Sequence, residues 1–230
     1  MNGSGALAIF VKTPGVSPTK TRLGATIGQQ SADHFYKLAV VATAARARRL
    51  QIRLPELQIF WAVAEEESLK SEIWGDFPTV FQGNGTLGHR LDYVYSGLLK
   101  KHSYVCFMGA DSPHISSEQI ETGIQLTAKF IKRRFVVGET IDGGFYFFGG
   151  SLPLSANFWH SVKYSTDLTF LQLTRGLTLF GGVELLNKDF DVDTIEDLLS
   201  FSKSILTDSN LLPEQLELIN WARSFTRSLL

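Results

Sequence analysis

Residues 104–113 read Tyr-Val-Cys-Phe-Met-Gly-Ala-Asp-Ser-Pro, and this stretch decides the fold class. An uninterrupted run of five apolar residues without alternation is typical of a strand buried on both faces, as in the middle of a parallel sheet. Ser112 and Pro113 end that strand. Open α/β sheets bind their ligands beyond the carboxyl ends of the strands. Asp111, the one acid in the stretch, is therefore expected where such a sheet carries its chemistry.

The composition predicts one large cytoplasmic domain. Of the 230 residues, 44% are hydrophobic, which is enough for a sizeable core. The 22 Lys and Arg residues balance 23 Asp and Glu residues, so no overall basic field favours nucleic acid or a membrane surface as a partner. No secretory signal or membrane-spanning run is recognisable. Cys106, the only cysteine, lies in the apolar run and is expected to be buried and unreactive.

Strands alternate with helices along most of the chain, which predicts an α/β fold with a mostly parallel sheet. Strands are predicted over residues 6–11, 57–63, 79–82, 104–109, 134–138, 145–148 and 177–185. Helices are predicted over residues 29–50, 65–74, 87–101, 117–129, 166–175, 195–205 and 214–228. The less regular stretch beyond residue 145 predicts an antiparallel edge or insertion. The arginines at positions 46, 48 and 49 are expected at a solvated helix end.

The segment after the first strand, Lys-Thr-Pro-Gly-Val-Ser-Pro-Thr-Lys-Thr-Arg over residues 12–22, has the character of an anion-binding loop. Small residues let backbone N–H groups approach an anion, and Arg22 is suited to a bidentate grip on a phosphate. Lys12, Lys20 and Thr21 are the other phosphate-binding candidates. The spacing is not that of a P-loop. A solvated loop with ordinary surface charges explains the segment equally well.

Residues 83–88 form a literal G-x-G-x-x-G between a predicted strand and a helix, which raises dinucleotide binding as an alternative. The preceding strand is short and begins after Pro78, so it is a poor first Rossmann strand. The turn Asp142-Gly143-Gly144 permits close approach of backbone to a ligand beside a carboxylate, although an ordinary hairpin turn has the same sequence.

Two carboxylates at i and i+2 stand in the segment Phe190-Asp191-Val192-Asp193-Thr194. Both could reach one divalent cation if the backbone bends. Asp193, with Glu196 three residues later, is also a natural helix N-cap. The two interpretations are compatible, because one acid can cap while its neighbour binds.

In their order along the chain, these motifs resemble those of the GT-A-like nucleotide-diphospho-sugar transferase family. The group that includes the arsenosugar-biosynthesis glycosyltransferases is the most similar, and the 2-phospho-lactate and molybdenum-cofactor guanylyltransferases are more distant. The resemblance covers residues 6–201 within an expected single domain of residues 1–230, and a C-terminal helix falls in 210–230. It rests on Lys20–Leu23, residues 82–91, Gly109–Pro113, Asp142–Phe145 and Asp191–Thr194.

The resemblance implies a GT-A fold, a three-layer α/β/α arrangement with a mostly parallel central sheet. It implies Asp111 as a metal-coordinating acid, Asp193 near a second metal or phosphate position, and Mg²⁺ or Mn²⁺ as cofactor. Lys20 and Arg22 would lie near phosphates. Gly85 and Gly88 would belong to a loop and helix start that face the same cleft, which sets the Rossmann alternative aside. Asp142 is our candidate for orienting or deprotonating an acceptor hydroxyl, with Gly143 and Gly144 beside the acceptor.

Three functions follow from this reasoning. The leading one is sugar transfer from a nucleotide-diphospho-sugar to a small-molecule acceptor. The second is nucleotidyl transfer, in which a phosphorylated acceptor attacks a nucleoside triphosphate and releases pyrophosphate. The third is a nucleotide-binding module without catalysis. Both reactions need the same metal and phosphate groups, so the residues alone leave the choice open.

Overall fold

The computed structural model describes residues 4–129, 134–203 and 211–228. The strands are β1 (Gly5–Val11), β2 (Leu57–Val63), β3 (Thr79–Phe81), β4 (Tyr104–Gly109), β5 (Arg134–Thr140), β6 (Phe145–Gly150) and β7 (Gly182–Asp189). The helices are α1 (Thr21–Ile27), α2 (Gln29–Arg53), α3 (Leu87–Leu99), α4 (Ser117–Lys129), α5 (Ala156–Ser161), α6 (Thr169–Leu177), α7 (Ile195–Lys203) and α8 (Pro213–Arg227). Short 3₁₀ turns occupy Glu66–Ser68 and Glu72–Trp74.

The strands form one seven-stranded sheet in the order β3-β2-β1-β4-β6-β5-β7. Neighbouring strands are parallel except around β6, which runs antiparallel to both β4 and β5. The predicted mostly parallel sheet is confirmed. The antiparallel strand is an internal insertion and not a sheet edge, because β6 forms a hairpin with β5 and pairs with β4 on its other side.

Helices cover both faces of the sheet and make the predicted three layers. Alternate residues of β1 point to opposite faces, with Leu7 and Ile9 in one core and Ala6 and Ala8 in the other. The first core is closed by α2 and α4, and the second by α3, α5 and α6. Cys106 is fully buried in the first core, as predicted, and burial raises the pKa of its thiol to about 12.

A third apolar cluster lies outside the sheet layers, where α1, α7 and α8 pack on the outer side of α2. Helix α2 is therefore buried on two sides, which explains its many alanines. Arg46 lies in the middle of this helix with 1% of its surface exposed, so the expected solvated helix end is wrong for this residue. Burial lowers the pKa of Arg46 to about 10. Arg48, two residues further along the helix, forms a surface ion pair with Asp76.

Three local predictions need correction. Helix α1 was not predicted. Its N-cap, Lys20, provides no side-chain cap, and packing on α2 and α7 stabilises the helix instead. Helix α5 was also missed. The strand expected over 177–185 begins only at Gly182, because residues 178–181 close α6 with turn hydrogen bonds and Phe180 packs on Phe158. The sequence pattern over 177–180 is apolar and β-branched, so local propensity gave the wrong element. Residues 204–205 of a predicted helix lie outside the described residues.

Among the residues that the structure describes, no helix combines the length and apolar character needed to cross a membrane.

Candidate active site

The loops that follow β1, β3, β4, β5 and β7 leave the sheet at one edge, because those strands run parallel. Two adjoining pockets open there. The basic pocket has a volume of about 310 Å³, and its charged lining includes Lys12, Lys20 and Arg22. The acidic pocket has a volume of about 500 Å³, and its lining includes Asp142, Asp167 and Asp191. Five residues line both pockets: Phe10, Arg22, Leu87, Asp111 and Asp193.

At the junction of the pockets, Asp111 and Asp193 converge on one cation, the ammonium group of Lys20. Lys20 Nζ lies 2.6 Å from Asp111 Oδ1 and 2.7 Å from Asp193 Oδ1. Only 2% of the Lys20 side chain is exposed, against 48% and 37% for the two carboxylates. Burial by itself lowers the pKa of Lys20, but the two carboxylates outweigh burial and raise that pKa above its ordinary value. The lysine is therefore charged throughout the physiological range.

Backbone geometry directs Lys20 inward. The residue has a left-handed conformation, with φ 46°, immediately before α1. Such a conformation is strained for a residue with a side chain and persists only where the surroundings hold it. The preceding loop is tied down by two buried groups: Tyr36 Oη accepts from Lys12 N at 3.0 Å, and Glu65 Oε2 accepts from Thr13 N at 2.8 Å.

The turn that carries Asp111 is held by hydrogen bonds from Arg46 and from the loop after β7. Arg46 Nη1 donates to the carbonyl of Ile115 at 2.5 Å, so the buried guanidinium supports the segment after Asp111. The backbone N–H of Val192 donates to the Asp111 carbonyl at 3.1 Å, and the Ser112 hydroxyl donates to Asp191. These contacts join the loops after β4 and β7. The two acids that bind Lys20 therefore belong to one rigid pair of loops.

Asp191 has the most perturbed carboxylate among the acids of the site. Burial raises its pKa to about 7, the charge of Asp111 adds to the rise, and the hydrogen bond from Ser112 partly offsets it. The sequence pattern allowed both Asp191 and Asp193 to reach one cation, and the family resemblance implied a metal or phosphate position for Asp193. Only tertiary packing distinguishes the two, since Asp191 accepts a hydrogen bond from Ser112, whereas Asp193 is ion-paired with Lys20.

Asp193 is not the N-cap that its spacing suggested. The cap of α7 is Thr194, whose hydroxyl accepts from Asp197 N at 3.3 Å. Asp197 Oδ2 in turn accepts from the backbone N–H groups of Asp193 and Thr194, at 3.1 and 2.8 Å. Because Asp197 and Thr194 satisfy the helix terminus between them, the carboxylate of Asp193 is left to bind Lys20.

The turn Asp142-Gly143-Gly144 forms one wall of the acidic pocket. Asp142 Oδ1 accepts from Thr140 Oγ1 at 2.6 Å and from Gly144 N at 3.1 Å, which orients the carboxylate. Gly143 has φ +86°, and an added Cβ would lie 2.2 Å from the carbonyl oxygen of Asp167. Its own carbonyl accepts from Phe170 N at 2.7 Å. Close backbone packing therefore explains Gly143, which does not line either pocket.

The segment Tyr164–Asp167 also lines the acidic pocket, and no sequence motif predicted it as part of the site. All four of its residues line the acidic pocket. Ser165 is exposed and has φ 59°, the second left-handed non-glycine residue among those described. Asp167 stands 25 positions after Asp142, and no local spacing pattern connects the two acids. The contact of the segment with Gly143 is what brings them to the same pocket.

Gly85 and Gly88 lie where α3 begins, and neither lines the two pockets. An added Cβ at Gly88 would lie 2.5 Å from the carbonyl of Trp159, so this glycine admits close packing of α5. Gln82, which was not predicted, does line the basic pocket. Its side-chain amide donates to the carbonyls of Val11 and Ala62, and its Oε1 accepts from Arg90.

The two carboxylates fit a divalent cation whose remaining ligands come from the substrate. Within the described ranges, no group of three or more His, Cys, Asp or Glu side chains is arranged to hold a metal. Asp111 and Asp193 nevertheless already share one cation, and carboxylate oxygens are the ligands that Mg²⁺ and Mn²⁺ prefer. Magnesium commonly uses one or two protein carboxylates together with substrate phosphates. The donor set therefore matches the cofactor that the resemblance implies.

A family model described as an uncharacterised protein conserved in bacteria, DUF2064, matches residues 42–166, more than half of the chain. The chain belongs to this family. A search of curated protein sequences finds no match. Among solved structures, this DUF2064 member resembles a candidate nucleotide-diphospho-sugar transferase from Desulfovibrio desulfuricans, with a TM-score of 0.82, 19% identity and 97% of each chain covered.

Two further solved structures are less similar. One is 4-diphosphocytidyl-2C-methyl-D-erythritol synthase from Anaerococcus prevotii, with a TM-score of 0.56, 12% identity and coverage of 87% of this chain and 97% of that chain. The other is a cytidylyltransferase from Leptospira borgpetersenii, with a TM-score of 0.54, 13% identity and coverage of 98% and 95%. Likeness at this level of identity concerns the fold. The predicted nucleotide-diphospho-sugar transferase fold is confirmed.

Proposed function

We propose that the protein is a metal-dependent, nucleotide-using transferase that takes a sugar from a nucleotide-diphospho-sugar and transfers it to a hydroxyl group. The observation that carries the proposal is the shared position of Asp111 and Asp193. Both carboxylates lie where a basic pocket meets an acidic one, and both reach the same cation. A diphosphate in the basic pocket would place its bond to the sugar at that junction.

In this reaction the bond between the anomeric carbon of the sugar and the terminal phosphate oxygen breaks, and its electron pair leaves with the nucleoside diphosphate. The acceptor hydroxyl oxygen forms the new bond to the same carbon. Its proton passes to the carboxylate of Asp142 and then to solvent. Thr140 and Gly144 hold Asp142 Oδ1, whereas Oδ2 has no hydrogen-bond partner in the described part of the chain. Oδ2 is thus the oxygen assigned to the proton.

Negative charge on the leaving diphosphate is the main electrostatic problem of the reaction. Lys12, Lys20 and Arg22 line the basic pocket and supply positive charge to it. A bound Mg²⁺ or Mn²⁺, held by Asp111 and Asp193, would add Lewis-acid stabilisation of the same oxygens. Lys20 is ion-paired with both carboxylates in the structure described, so it reduces the repulsion between the two acids when they are not shared with a metal.

Nucleotidyl transfer is the second candidate, in which a phosphorylated acceptor attacks a nucleoside triphosphate and pyrophosphate leaves. The three cations of the basic pocket suit a triphosphate as well as a diphosphate. Two proteins of similar fold are named as a cytidylyltransferase and a diphosphocytidyl-methylerythritol synthase, which supports nucleotidyl transfer as the second candidate.

A binding screen separates the two reactions. Thermal stabilisation of the protein by nucleoside triphosphates, nucleoside diphosphates and nucleotide sugars is measured with and without Mn²⁺. We expect Mn²⁺-dependent stabilisation by one nucleotide sugar to exceed that by the matching triphosphate. A preference for the triphosphate would favour nucleotidyl transfer, and stabilisation without any turnover would leave a binding module. No response to any nucleotide would contradict both reactions.

A further inference from the structure

The acidic pocket differs from the basic pocket in having no positively charged residue of its own. Arg22 is its one cation among the described lining residues, and Arg22 lies on the shared boundary. The residues that line the acidic pocket alone include three acids, Asp142, Asp167 and Asp191, and no Lys, Arg or His. The positive charge of the cleft is therefore concentrated on its nucleotide side.

The negative charge of this pocket is not neutralised by neighbouring side chains. No ion pair involves Asp142 or Asp167 in the part of the chain that the structure describes, whereas Asp111 and Asp193 are both paired with Lys20. Both unpaired acids are exposed at the pocket. A phosphate or carboxylate placed between them would meet like charges without a compensating cation, which favours exclusion of anions.

The remaining lining suits an acceptor that combines hydroxyl groups with apolar faces. The aromatic residues Phe145 and Tyr164, both half-buried, form part of the lining. Carboxylate oxygens are strong acceptors for hydrogen bonds from hydroxyl groups. The hydroxyl of Ser165, on the strained turn, is an additional polar group at the rim.

We infer that the acceptor is a hydroxyl compound without phosphate or carboxylate groups, and that Asp142 and Asp167 exclude anionic acceptors from the pocket. The inference rests on the proposed function, because it takes the acidic pocket as the acceptor side. It also selects between the two reactions, since nucleotidyl transfer requires a phosphorylated acceptor. The acceptor hydroxyl contributes its oxygen to the new glycosidic bond, and its proton leaves through Asp142.

The test uses pairs of compounds that differ by one phosphate: methyl glycosides of pentoses and hexoses, glycerol and amino sugars, each beside its phosphate ester. The protein is first loaded with Mg²⁺ and the nucleoside diphosphate chosen by the binding screen, and the dissociation constants are measured by ligand-observed NMR. Failure of the proposed function shows before any acceptor is added, either as a preference for the triphosphate in the binding screen or as no nucleotide binding at the loading step. We expect binding of non-anionic compounds, with the phosphate esters at least ~10-fold weaker. Tighter binding of the esters, or no binding of any non-anionic compound, would overturn the inference.

A charge reversal on the pocket rim provides the decisive variant. Asp167→Lys is expected to reduce the discrimination against phosphate esters ~10-fold or more, and Asp167→Asn about threefold. Glu217→Lys is the matched control, because it makes the same change of charge on the exposed side of α8 away from both pockets. Its discrimination should stay within about twofold of the wild-type value. Equal effects of Asp167→Lys and Glu217→Lys, with both proteins folded by circular dichroism, would contradict the assignment.

Discussion

The two pockets of the cleft meet at the same pair of carboxylates but differ in how their charge is arranged. In the basic pocket, three cations from the segment after β1 line the same pocket as the carboxylates, and the buried Lys20 is ion-paired with both of them. In the acidic pocket, acids come from three separate segments, after β5, before α6 and after β7. The comparison shows that one short sequence segment creates the basic side, whereas the other side depends on distant segments being packed together.

Loss of the shared carboxylate should affect both pockets and have the largest effect. Asp111→Asn keeps the size of the side chain and the Lys20–Asp193 ion pair. We expect turnover of the nucleotide sugar to fall by ~10²–10³-fold, because the oxygen that we propose as a metal ligand is lost. Activity assays with Mn²⁺ titration measure the change, and Asp76→Asn, at a surface ion pair, is the control. Unchanged activity in a folded Asp111→Asn protein would refute the role of Asp111.

A change at Gly143 should damage the acidic pocket alone. Gly143→Ala is expected to cost about 3 kcal/mol of unfolding free energy, because the new methyl group would clash with the backbone of Asp167 at a positive φ. Gly28 has nearly the same φ, +85°, with nothing within 4 Å of an added Cβ. Gly28→Ala therefore isolates the backbone strain, about 1 kcal/mol. Urea unfolding measures both, and nucleotide affinity should be unchanged in either protein. Equal costs would show that the Asp167 contact contributes nothing.

Removal of Lys20 should alter the basic pocket in two opposite ways. Lys20→Met leaves Asp111 and Asp193 facing each other, so we expect a loss of roughly 2 kcal/mol of stability. This value is below that of a fully buried pair because both acids keep contact with solvent. Affinity for Mn²⁺ alone should rise about tenfold, while affinity for the nucleotide falls.

The matched control for that change is Lys12→Met, in the same pocket. The Lys12 ammonium donates to the Pro18 carbonyl at 3.3 Å and does not contact the two acids. It should weaken nucleotide binding and leave Mn²⁺ binding unchanged, as measured by calorimetry with the metal alone. If Lys20→Met also leaves Mn²⁺ binding unchanged, the lysine and the metal do not share one position.

The smallest expected effect on stability comes from loss of the hydrogen bond between Arg46 and the segment after Asp111. Arg46→Met removes the donor to the Ile115 carbonyl, and we expect a loss of about 1–2 kcal/mol of stability with weaker metal binding at the neighbouring turn. Arg48→Met, on the same helix, loses a half-exposed ion pair with Asp76 and should cost under ~1 kcal/mol. Denaturant unfolding compares the two. A larger effect at Arg48 would mean that the buried contact does not stabilise the turn.

The sheet and the basic side of the cleft were predictable because their signals are local. The apolar run of β4, the loop of residues 12–22 and the acids that follow each strand are contiguous in sequence, and parallel strand ends meet at one edge. The contact between Lys20 and its two acids was not predictable, since it depends on a left-handed backbone conformation and on acids about 90 and 170 residues away. The site roles of Asp111, Asp142 and Asp193 remain predictions.

Tertiary burial accounts for the other differences. Arg46 has the same sequence surroundings as the exposed Arg48. Arg46 is buried only because α2 is packed between two layers. Helix α1 lacks a capping side chain and is held by contacts with α2 and α7. Asp167 has no partner within its own sequence segment, so its place in the acidic pocket follows from the close packing at Gly143.

The internal position of β6 has a consequence for folding. Strands β1 to β4 come from the first half of the chain, whereas the partner of β4 on its other side is supplied by residues 145–150. Until the hairpin of β5 and β6 is inserted, β4 presents an open hydrogen-bonding edge made of an apolar strand. Such an edge is a template for association between chains, so the hairpin protects the nascent molecule from aggregation.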